Sequence, residues 1–261
     1  MGTRAVTGSA TEGVGAAQPV YVYGVVRDDA IAPQVPGVAG AVVEPIAFEG
    51  LAALTSPVAD TNVRARRRDL MAHSDVLTKT VEQGPVLPLQ FGIVFRDADA
   101  VVSDFLQPRK KELEKLLQDL DGKVELRVKG FYVEEAILAE IIGENRRVAG
   151  LRKATRMQPD GAAYGARIEL GELVAAELRA RAQHDAATIL ERLRPLAVGV
   201  QISDEAIEHQ VLRASFLVER DRVQDFDEAM NELARHEDGR IDFKYVGPLP
   251  PHSFVAVPWA S

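Results

Sequence analysis

The segment Pro85–Phe95, PVLPLQFGIVF, constrains the fold more than any other stretch of the chain. It is too apolar for an exposed loop, yet Pro85 and Pro88 cannot donate the hydrogen bonds of a regular central strand. We therefore expect an irregular lead-in to a buried strand. A second segment, Lys244–Val255, runs from apolar residues into Gly-Pro-Leu-Pro-Pro and is expected to close the last core strand.

The rest of the chain divides into apolar runs typical of strands and stretches with apolar residues at helical spacing. Strands are predicted at Val20–Val26, Ala41–Phe48, Leu51–Pro57, Lys123–Val133, Leu196–Ile202, Gln210–Val218 and Ile241–Val246. Helices are predicted at Asn62–Gln83, Asp97–Leu120, Glu134–Glu144, Gly165–Leu193 and Asp221–His236. Glu49-Gly50 predicts a hairpin turn. In Lys123–Val133, apolar residues alternate with charged ones, which predicts one buried face and one wet face.

This order of elements predicts an α+β protein. Residues 1–18, rich in Gly, Ala, Thr and Ser, are expected to form a disordered tail. Residues 19–133 are expected to form a modified ferredoxin-like N-terminal domain with an extra strand near its start. Residues 134–194 are expected to be a helical region, with one long helix, packed with the C-terminal part. Residues 195–261 are expected to form a second small α+β domain.

The chain is acidic, with a formal net charge of −8, and it has no cysteine. An acidic chain gains nothing from phosphate counterion release, so we do not expect binding to nucleic acid or to an anionic membrane. The lack of cysteine excludes disulfides, thiolate nucleophiles, iron–sulfur clusters and Cys-based zinc sites. No stretch approaches the roughly 20 apolar residues of a membrane span, and residues 1–18 lack the apolar core of a signal peptide. We therefore expect a cytoplasmic protein.

No arrangement of side chains predicts catalysis. The chain has neither a phosphate-binding loop nor a Gly-x-Ser-x-Gly elbow. Glu205 and His209 are spaced i, i+4 but supply too few ligands for zinc, so a surface ion pair is the better interpretation. His73 and Asp75 could be a base and its orienting group, but no nucleophile is suggested nearby and a structural histidine is favoured. We predict no catalytic residue, no cofactor and no metal site, and hence no enzyme.

The densest positive charge lies in the segment 64–68. Its arginines, a candidate contact for a phosphate group or an acidic partner face, are Arg64, Arg66, Arg67 and Arg68. The alternative is an ordinary solvated helix start, because Asp60 precedes the cluster and Asp69 follows it. Nucleic acid is not expected here, because no aromatic residue is interleaved to stack on bases.

Four motifs in chain order resemble those of one protein family: Tyr-Val-Tyr-Gly, Leu-Pro-Leu-x-Phe-Gly-x-x-Phe, Val-Lys-x-Phe/Tyr and Gly-Pro-Leu-Pro-Pro-x-x-Phe. Through them the chain is similar to the gas vesicle L/F family from about Val20 to Val257. The motif residues are Tyr21, Tyr23, Gly24, Leu87, Pro88, Leu89, Phe91, Gly92, Phe95, Val128, Lys129, Tyr132, Tyr245, Gly247, Pro248, Pro250, Pro251 and Phe254. Prolines fix φ and glycines allow backbone paths closed to other residues, so we expect these residues to specify the fold. A direct role in partner contacts is the alternative.

The resemblance implies a minor, accessory protein of gas vesicle organization, gas vesicles being the gas-filled buoyancy organelles of the cytoplasm. It implies binding to the small hydrophobic major shell protein and to other accessory proteins during nucleation or growth, in association with the vesicles. It also implies a modified ferredoxin-like N-terminal domain followed by a C-terminal α+β domain. Two other classes stay open on the residues alone. One is a small-ligand sensor or enzyme on a ferredoxin-like scaffold, and the other is an RNA-binding module using Tyr21, Tyr23 and Tyr132.

Overall fold

The computed structural model describes residues 18–157, 164–203, 207 and 209–255 of the 261-residue chain. Two antiparallel sheets with packed helices confirm the α+β class. The predicted tail, apart from Gln18, lies outside the described residues, and so does Glu205 of the suggested ion pair.

The first sheet has the strand order β2-β3-β1-β4, with β5 pairing on β1. Its strands are β1 Val20–Arg27, β2 Glu44–Phe48, β3 Leu51–Pro57, β4 Leu87–Pro88 and β5 Val94–Phe95. The predicted hairpin joins β2 to β3, where Glu49 and Gly50 take φ values of 44° and 89°. Positive φ at both turn residues gives a twist that matches the flanking strands.

Strand β1 is buried on both faces, which explains its nearly continuous apolar sequence. Val22 and Val25 belong to one core, whereas Tyr23 and Val26 belong to the other. Strict alternation would put Tyr23 and Val25 on the same face. The register shift between Val22 and Gly24 exchanges the faces, so the strand contributes large side chains to both cores.

The elements against the first sheet are helix α1 Arg67–Gln83, helix α2 Ala98–Ala100, a π-helix at Val101–Leu106 and helix α3 Gln107–Asp119. Helix α1 begins later than predicted, so Arg64 precedes it and Arg66 is its N-cap residue. The stretch from α2 to α3 is continuous. Pro108 lies in the first turn of α3, directly after the π-helix.

The second sheet has the order β7-β8-β6-β9. Its strands are β6 Lys123–Tyr132, β7 Gly199–Ile202, β8 Gln210–Glu219 and β9 Ile241–Leu249. The predicted place of β6 in the first unit is wrong, because β6 pairs with β8 and β9. Strand β1 is already paired with β3 on one side and with β4 and β5 on the other, which leaves no free edge at the centre of the first sheet. The domain limits themselves remain predictions.

The helices of the second half are α4 Glu134–Glu144, α5 Arg146–Met157, α6 Tyr164–Leu193 and α7 Val223–His236. The predicted long helix is α6. Its buried residues, Ile189 and Leu193, lie at its C-terminal end, and it contacts β8 and α7. One core cluster joins residues of β1 and α1 to residues of β6, β8 and α7, so the two sheets share a continuous interior.

Candidate functional site

Motif residues from two distant segments meet at His73 of α1. The hydroxyl of Tyr21 accepts a hydrogen bond from the Gly92 N–H at 3.2 Å and lies 2.8 Å from His73 Nδ1. The other ring nitrogen, Nε2, lies 3.2 Å from the Leu89 carbonyl oxygen. Because a carbonyl can only accept, Nε2 carries the proton and Nδ1 accepts from Tyr21. This chain of bonds ties the Leu87–Phe95 block to β1 and α1.

Aromatic rings surround the His73 imidazole. Tyr23 stacks on it with ring centroids 5.6 Å apart, and Tyr21 and Phe91 meet it edge-on at 5.8 and 5.7 Å. We call these four residues the tyrosine–histidine cluster. Burial lowers the pKa of His73 to about 4, so its ring is neutral at neutral pH. Its nitrogens bond Tyr21 and Leu89 rather than the exposed Asp75 suggested by the sequence.

Tyr23 also anchors the loop before β2. Its hydroxyl accepts from the Val38 N–H at 2.7 Å and donates to Ser56 Oγ at 3.0 Å, which donates to the Val42 carbonyl at 2.7 Å. A Cβ at Gly37 would lie 2.2 Å from the Tyr23 hydroxyl oxygen, so only glycine fits there. Burial raises the pKa of Tyr23 and keeps the hydroxyl protonated.

The Leu87–Phe95 block lies close against β1. Leu87, Pro88 and Leu89 are all buried. A Cβ at Gly24 would lie 2.7 Å from the Leu87 carbonyl oxygen, so the motif glycine is required by the close approach of β4.

The end of this block turns outward and then packs on the π-helix. Gly92 has φ of 98°, in the region that favours glycine. Phe95 of β5 stacks on Phe105 with ring centroids 5.6 Å apart and 29° between the planes. The motif therefore fixes the backbone path between two helices.

Motif residues of β6 connect the second sheet to α6. Val128 is fully buried and Lys129 is half-buried. The Tyr132 hydroxyl donates to Asp185 Oδ2 at 2.5 Å, and Arg240 Nη2 donates to the same oxygen at 2.6 Å. Burial and the neighbouring Asp185 carboxylate raise the pKa of Tyr132.

The last motif begins on β9. Tyr245 stacks on Phe226 of α7 at 5.9 Å and donates to Asp227 Oδ1 at 2.5 Å. A Cβ at Gly247 would lie 2.4 Å from Leu126 Cδ2 and 3.2 Å from the Glu125 carbonyl oxygen. A larger residue at this position would therefore press on the Leu126 side chain and on the β6 backbone.

Beyond Gly247 the motif folds onto the sheet. The Gly247–Pro248 peptide bond is cis, and Pro250 and Pro251 are buried. Phe254 is half-buried and packs against Gly199 of β7, where a Cβ would lie 3.3 Å from its ring.

The sequence did not reveal Glu125, which is fully buried on the face of β6 predicted to be wet. Its carboxylate accepts from Ser215 Oγ at 2.9 Å, from Ser253 N and Oγ at 2.8 and 2.9 Å, and from Arg127 Nη2 at 2.6 Å. The last motif lies across this face and covers it. Ser253 stands at the second x of the motif Gly-Pro-Leu-Pro-Pro-x-x-Phe. Its fixed spacing from Pro250 and Pro251 was the only feature of the sequence that set it apart.

The arginines of segment 64–68 are all exposed. Arg68 Nε lies 3.6 Å from Asp69 Oδ1. The same buried oxygen accepts a hydrogen bond from the Ala39 N–H at 3.2 Å. This bond fixes the start of α1 to the loop held by Tyr23. Near the arginines, two apolar side chains of α1, Leu70 and Met71, remain 43% and 55% exposed.

A cleft of about 550 Å³ lies between the loop after β1 and the C-terminal end of α1. Its lining includes Arg27, Asp29, Ile31 and Gln83, and none of the lining residues belongs to the four motifs. Within the described ranges, no group of three His, Asp or Glu side chains could hold a metal ion. In the same part of the chain, no helix is long and apolar enough to cross a membrane.

Residues 19–256 match a family model described as gas vesicle synthesis protein GvpL/GvpF. This chain belongs to the GvpL/GvpF family. Gas vesicle protein F of Streptomyces sp. (strain CB03234) is 38% identical over 90% of this chain and 98% of its own length. Gas vesicle protein F of Nostoc sp. (strain PCC 7120 / SAG 25.82 / UTEX 2576) is 28% identical over 91% of this chain and 98% of its own length.

The fold is shared with a solved GvpF. The crystal structure of GvpF from Anabaena sp. PCC7120 matches with a TM-score of 0.78 and 26% identity, over 92% of this chain and 99% of that chain. The four-motif resemblance to the family is therefore confirmed. Membership in the GvpL/GvpF family gives the chain a gas vesicle-related, accessory role. In this family member, the motif residues lie mostly in the interior.

Proposed function

We propose that this chain is a non-enzymatic accessory protein of gas vesicle assembly in the cytoplasm, where it binds the hydrophobic major shell protein and other accessory proteins during nucleation or growth. The observation that carries the proposal is the family match from residue 19 to residue 256, which spans both sheets. A shell protein that buries apolar surface in the finished wall is prone to aggregate while free. A partner that covers this surface until delivery would prevent aggregation.

We assign the shell-protein contact to the beginning of α1, the residues just before it, and the loop before β2 that Asp69 joins to it. Its members, which we call the α1 N-terminal surface, are Val42, Arg64, Arg66, Arg67, Leu70 and Met71. Val42 is 69% exposed on the loop that Tyr23 and Ser56 hold. The surface combines apolar side chains, which would meet the shell protein, with arginines that would fix its orientation.

The buried motif residues hold in place the loop and the helix that carry this surface. Tyr23 holds the loop through Val38 and Ser56, and Asp69 joins that loop to α1. The tyrosine–histidine cluster packs under the same helix through His73. The family motifs would therefore act on binding indirectly, by keeping the loop and the helix in one arrangement.

Strand addition at the edge of the first sheet is less suited to this contact. The edge strand β2 contains Pro45, which has no N–H to donate to an added strand. The π-helix also contacts β2. A helix-and-loop surface is therefore favoured over the sheet edge.

Binding of the purified full-length chain to the major shell protein tests the proposal. The variant Leu70→Glu with Met71→Glu should weaken binding by at least about tenfold, because two carboxylates would be buried against an apolar partner. The matched control, Lys79→Gln with Gln83→Glu, makes the same change in net charge at the other end of α1, and it should stay within about twofold of the original chain. No binding by the original chain would remove the proposal, and equal weakening in both variants would remove the assigned surface.

A further inference from the structure

Helix α5 is a concentration of positive charge in an acidic chain. Its sequence, RRVAGLRKATRM, has five basic residues and no acidic one, whereas the whole chain has a net charge of −8. All five basic side chains are exposed: Arg146, Arg147, Arg152, Lys153 and Arg156. Arg147 pairs with Glu169 of α6 at 2.5 Å. The other four have no acidic partner among the residues that the structure describes.

The position of α5 leaves this charge accessible. Val148 is the only fully buried residue of the helix, and α5 contacts α4 and α6. The residues that bury α6 against the rest of the molecule, Ile189 and Leu193, lie at its far end. One face of α5 is therefore open to solvent. In the chain, this face belongs to the helices of the second half, whereas the α1 N-terminal surface belongs to the first half.

A groove of about 300 Å³ lies along this face. Apolar and cationic side chains line it together: Ile142, Ala149, Met157, Arg152, Lys153 and Arg156. Met157 is 75% exposed and lies beside the three cationic side chains in this lining. Apolar lining with cationic neighbours suits a ligand that presents an apolar side chain flanked by carboxylates.

We propose that this cationic groove binds an acidic segment of a partner protein. An apolar side chain of the segment would occupy the groove, and its carboxylates would bond Arg152, Lys153 and Arg156. The negative charge of the rest of the chain disfavours an extended anionic surface such as a membrane. None of the described residues that line the groove is aromatic, so nucleic acid bases would find no ring there on which to stack.

This inference does not depend on the proposed shell-protein contact, because the two surfaces share no residue. If both hold, one chain can bind the shell protein at α1 and an acidic accessory protein at α5. The chain would then act as a connector between them.

A defined probe tests the groove directly. The probe is a fluorescein-labelled helical peptide with Glu and Leu at i, i+4 spacing, and its binding to the full chain is followed by fluorescence anisotropy. The triple variant Arg152→Glu, Lys153→Glu, Arg156→Glu should weaken binding by at least about tenfold. The matched variant Lys111→Glu, Lys115→Glu, Arg235→Glu changes the net charge equally at exposed positions outside both surfaces, and it should change peptide binding by less than about twofold. Far-ultraviolet circular dichroism checks that both variants remain folded.

A local signal separates groove binding from general attraction. Because the chain has no cysteine, Thr155→Cys on α5 and Gln183→Cys on α6 can each carry one environment-sensitive dye. The peptide should change the signal from position 155 and leave that from position 183 unchanged.

Three results would overturn the proposal. The first is absence of peptide binding or equal loss in the two triple variants. The second is tighter binding of a phosphatidylglycerol vesicle or a single-stranded oligonucleotide than of the peptide. The third is self-association of the original chain that the α5 variant abolishes, which would make a second copy the occupant. Shell-protein binding by the α5 variant is measured in parallel and should be unchanged, so failure here is distinguishable from failure of the proposed function.

Discussion

The two sheets hold their buried polar groups by different chemistry. In the first sheet, Tyr21 and His73 form a neutral chain of hydrogen bonds surrounded by aromatic rings. In the second, the carboxylates of Glu125 and Asp185 meet Arg127 and Arg240. Motif residues take part in both arrangements, yet the first should respond to protonation and the second to salt. The two arrangements should therefore differ in the solution conditions that weaken them.

The largest effect is expected at Glu125. Glu125→Ala should lower the free energy of unfolding by about 3–4 kcal/mol, because it leaves Ser215, Ser253 and Arg127 without their shared acceptor. Urea denaturation measures the change. Glu44→Ala on the exposed edge strand is the control and should cost less than about 0.5 kcal/mol. A loss below about 1 kcal/mol at Glu125 would mean that the last motif is not held through this carboxylate.

The buried position of Glu125 shows where sequence reasoning stops. Alternation along β6 predicted a wet face, and the pattern is real, since Val124, Leu126 and Val128 are buried. What covers the other face is a segment more than a hundred residues later, with Ser253 on the Glu125 carboxylate. The local periodicity of a strand cannot show that a distant segment will pack on its second face. The place of β6 in the second sheet escaped prediction for the same reason.

Features encoded locally were predicted well. The Glu49-Gly50 turn, the helix Glu134–Glu144 and the long helix α6 follow from turn chemistry and apolar spacing. The motifs were expected to specify the fold, and that role stays a prediction for each of their residues. The α5 groove needed the structure, because α4 and α5 line it together.

The second prediction concerns pH and the first sheet. His73 has a pKa of about 4 in the folded chain and about 6.5 when unfolded, so between these values only the unfolded state binds the proton. Stability should therefore fall by roughly 2–3 kcal/mol as the pH decreases from 6.5 to 4. The groups that face the ring are Tyr21, Tyr23 and the nearby His252.

The variant His73→Phe isolates this contribution. It should be less stable at pH 7 and should lose the His73 part of the decline between pH 6.5 and 4, as followed by thermal unfolding. His252, whose pKa is also lowered by burial, should supply a remaining decline. His236→Gln, which removes an exposed histidine, should keep the fall in stability between pH 6.5 and 4. An unchanged decline in His73→Phe would assign the acid sensitivity to other groups.

The third prediction concerns salt and the second sheet. Arg240→Met should cost about 1–2 kcal/mol at low salt, because Asp185, Glu140 and Glu237 lose their shared cation. These groups are partly exposed, so the difference should shrink in about 1 M NaCl. The cost of His73→Phe should not shrink in this way. Equal salt dependence of the two variants would remove the contrast between the sheets.

The smallest effect is expected at the aromatic stack on the π-helix. Phe95→Leu should cost about 1 kcal/mol at any salt concentration, because it loses the ring contact with Phe105 but keeps an apolar side chain. Urea denaturation at two salt concentrations measures it. A strong salt dependence would show that the packing of the first sheet is coupled to charge after all.

We propose that the family motifs fold the chain and that the exposed α1 N-terminal surface binds the shell protein. Titration of the major shell protein against Tyr21→Phe and against Leu70→Glu with Met71→Glu, at a temperature where both remain folded, tests it most directly. We expect Tyr21→Phe to bind within about twofold of the original chain and the double variant to bind at least about tenfold more weakly. Weakened binding by a fully folded Tyr21→Phe chain, together with unchanged binding by the double variant, would contradict it.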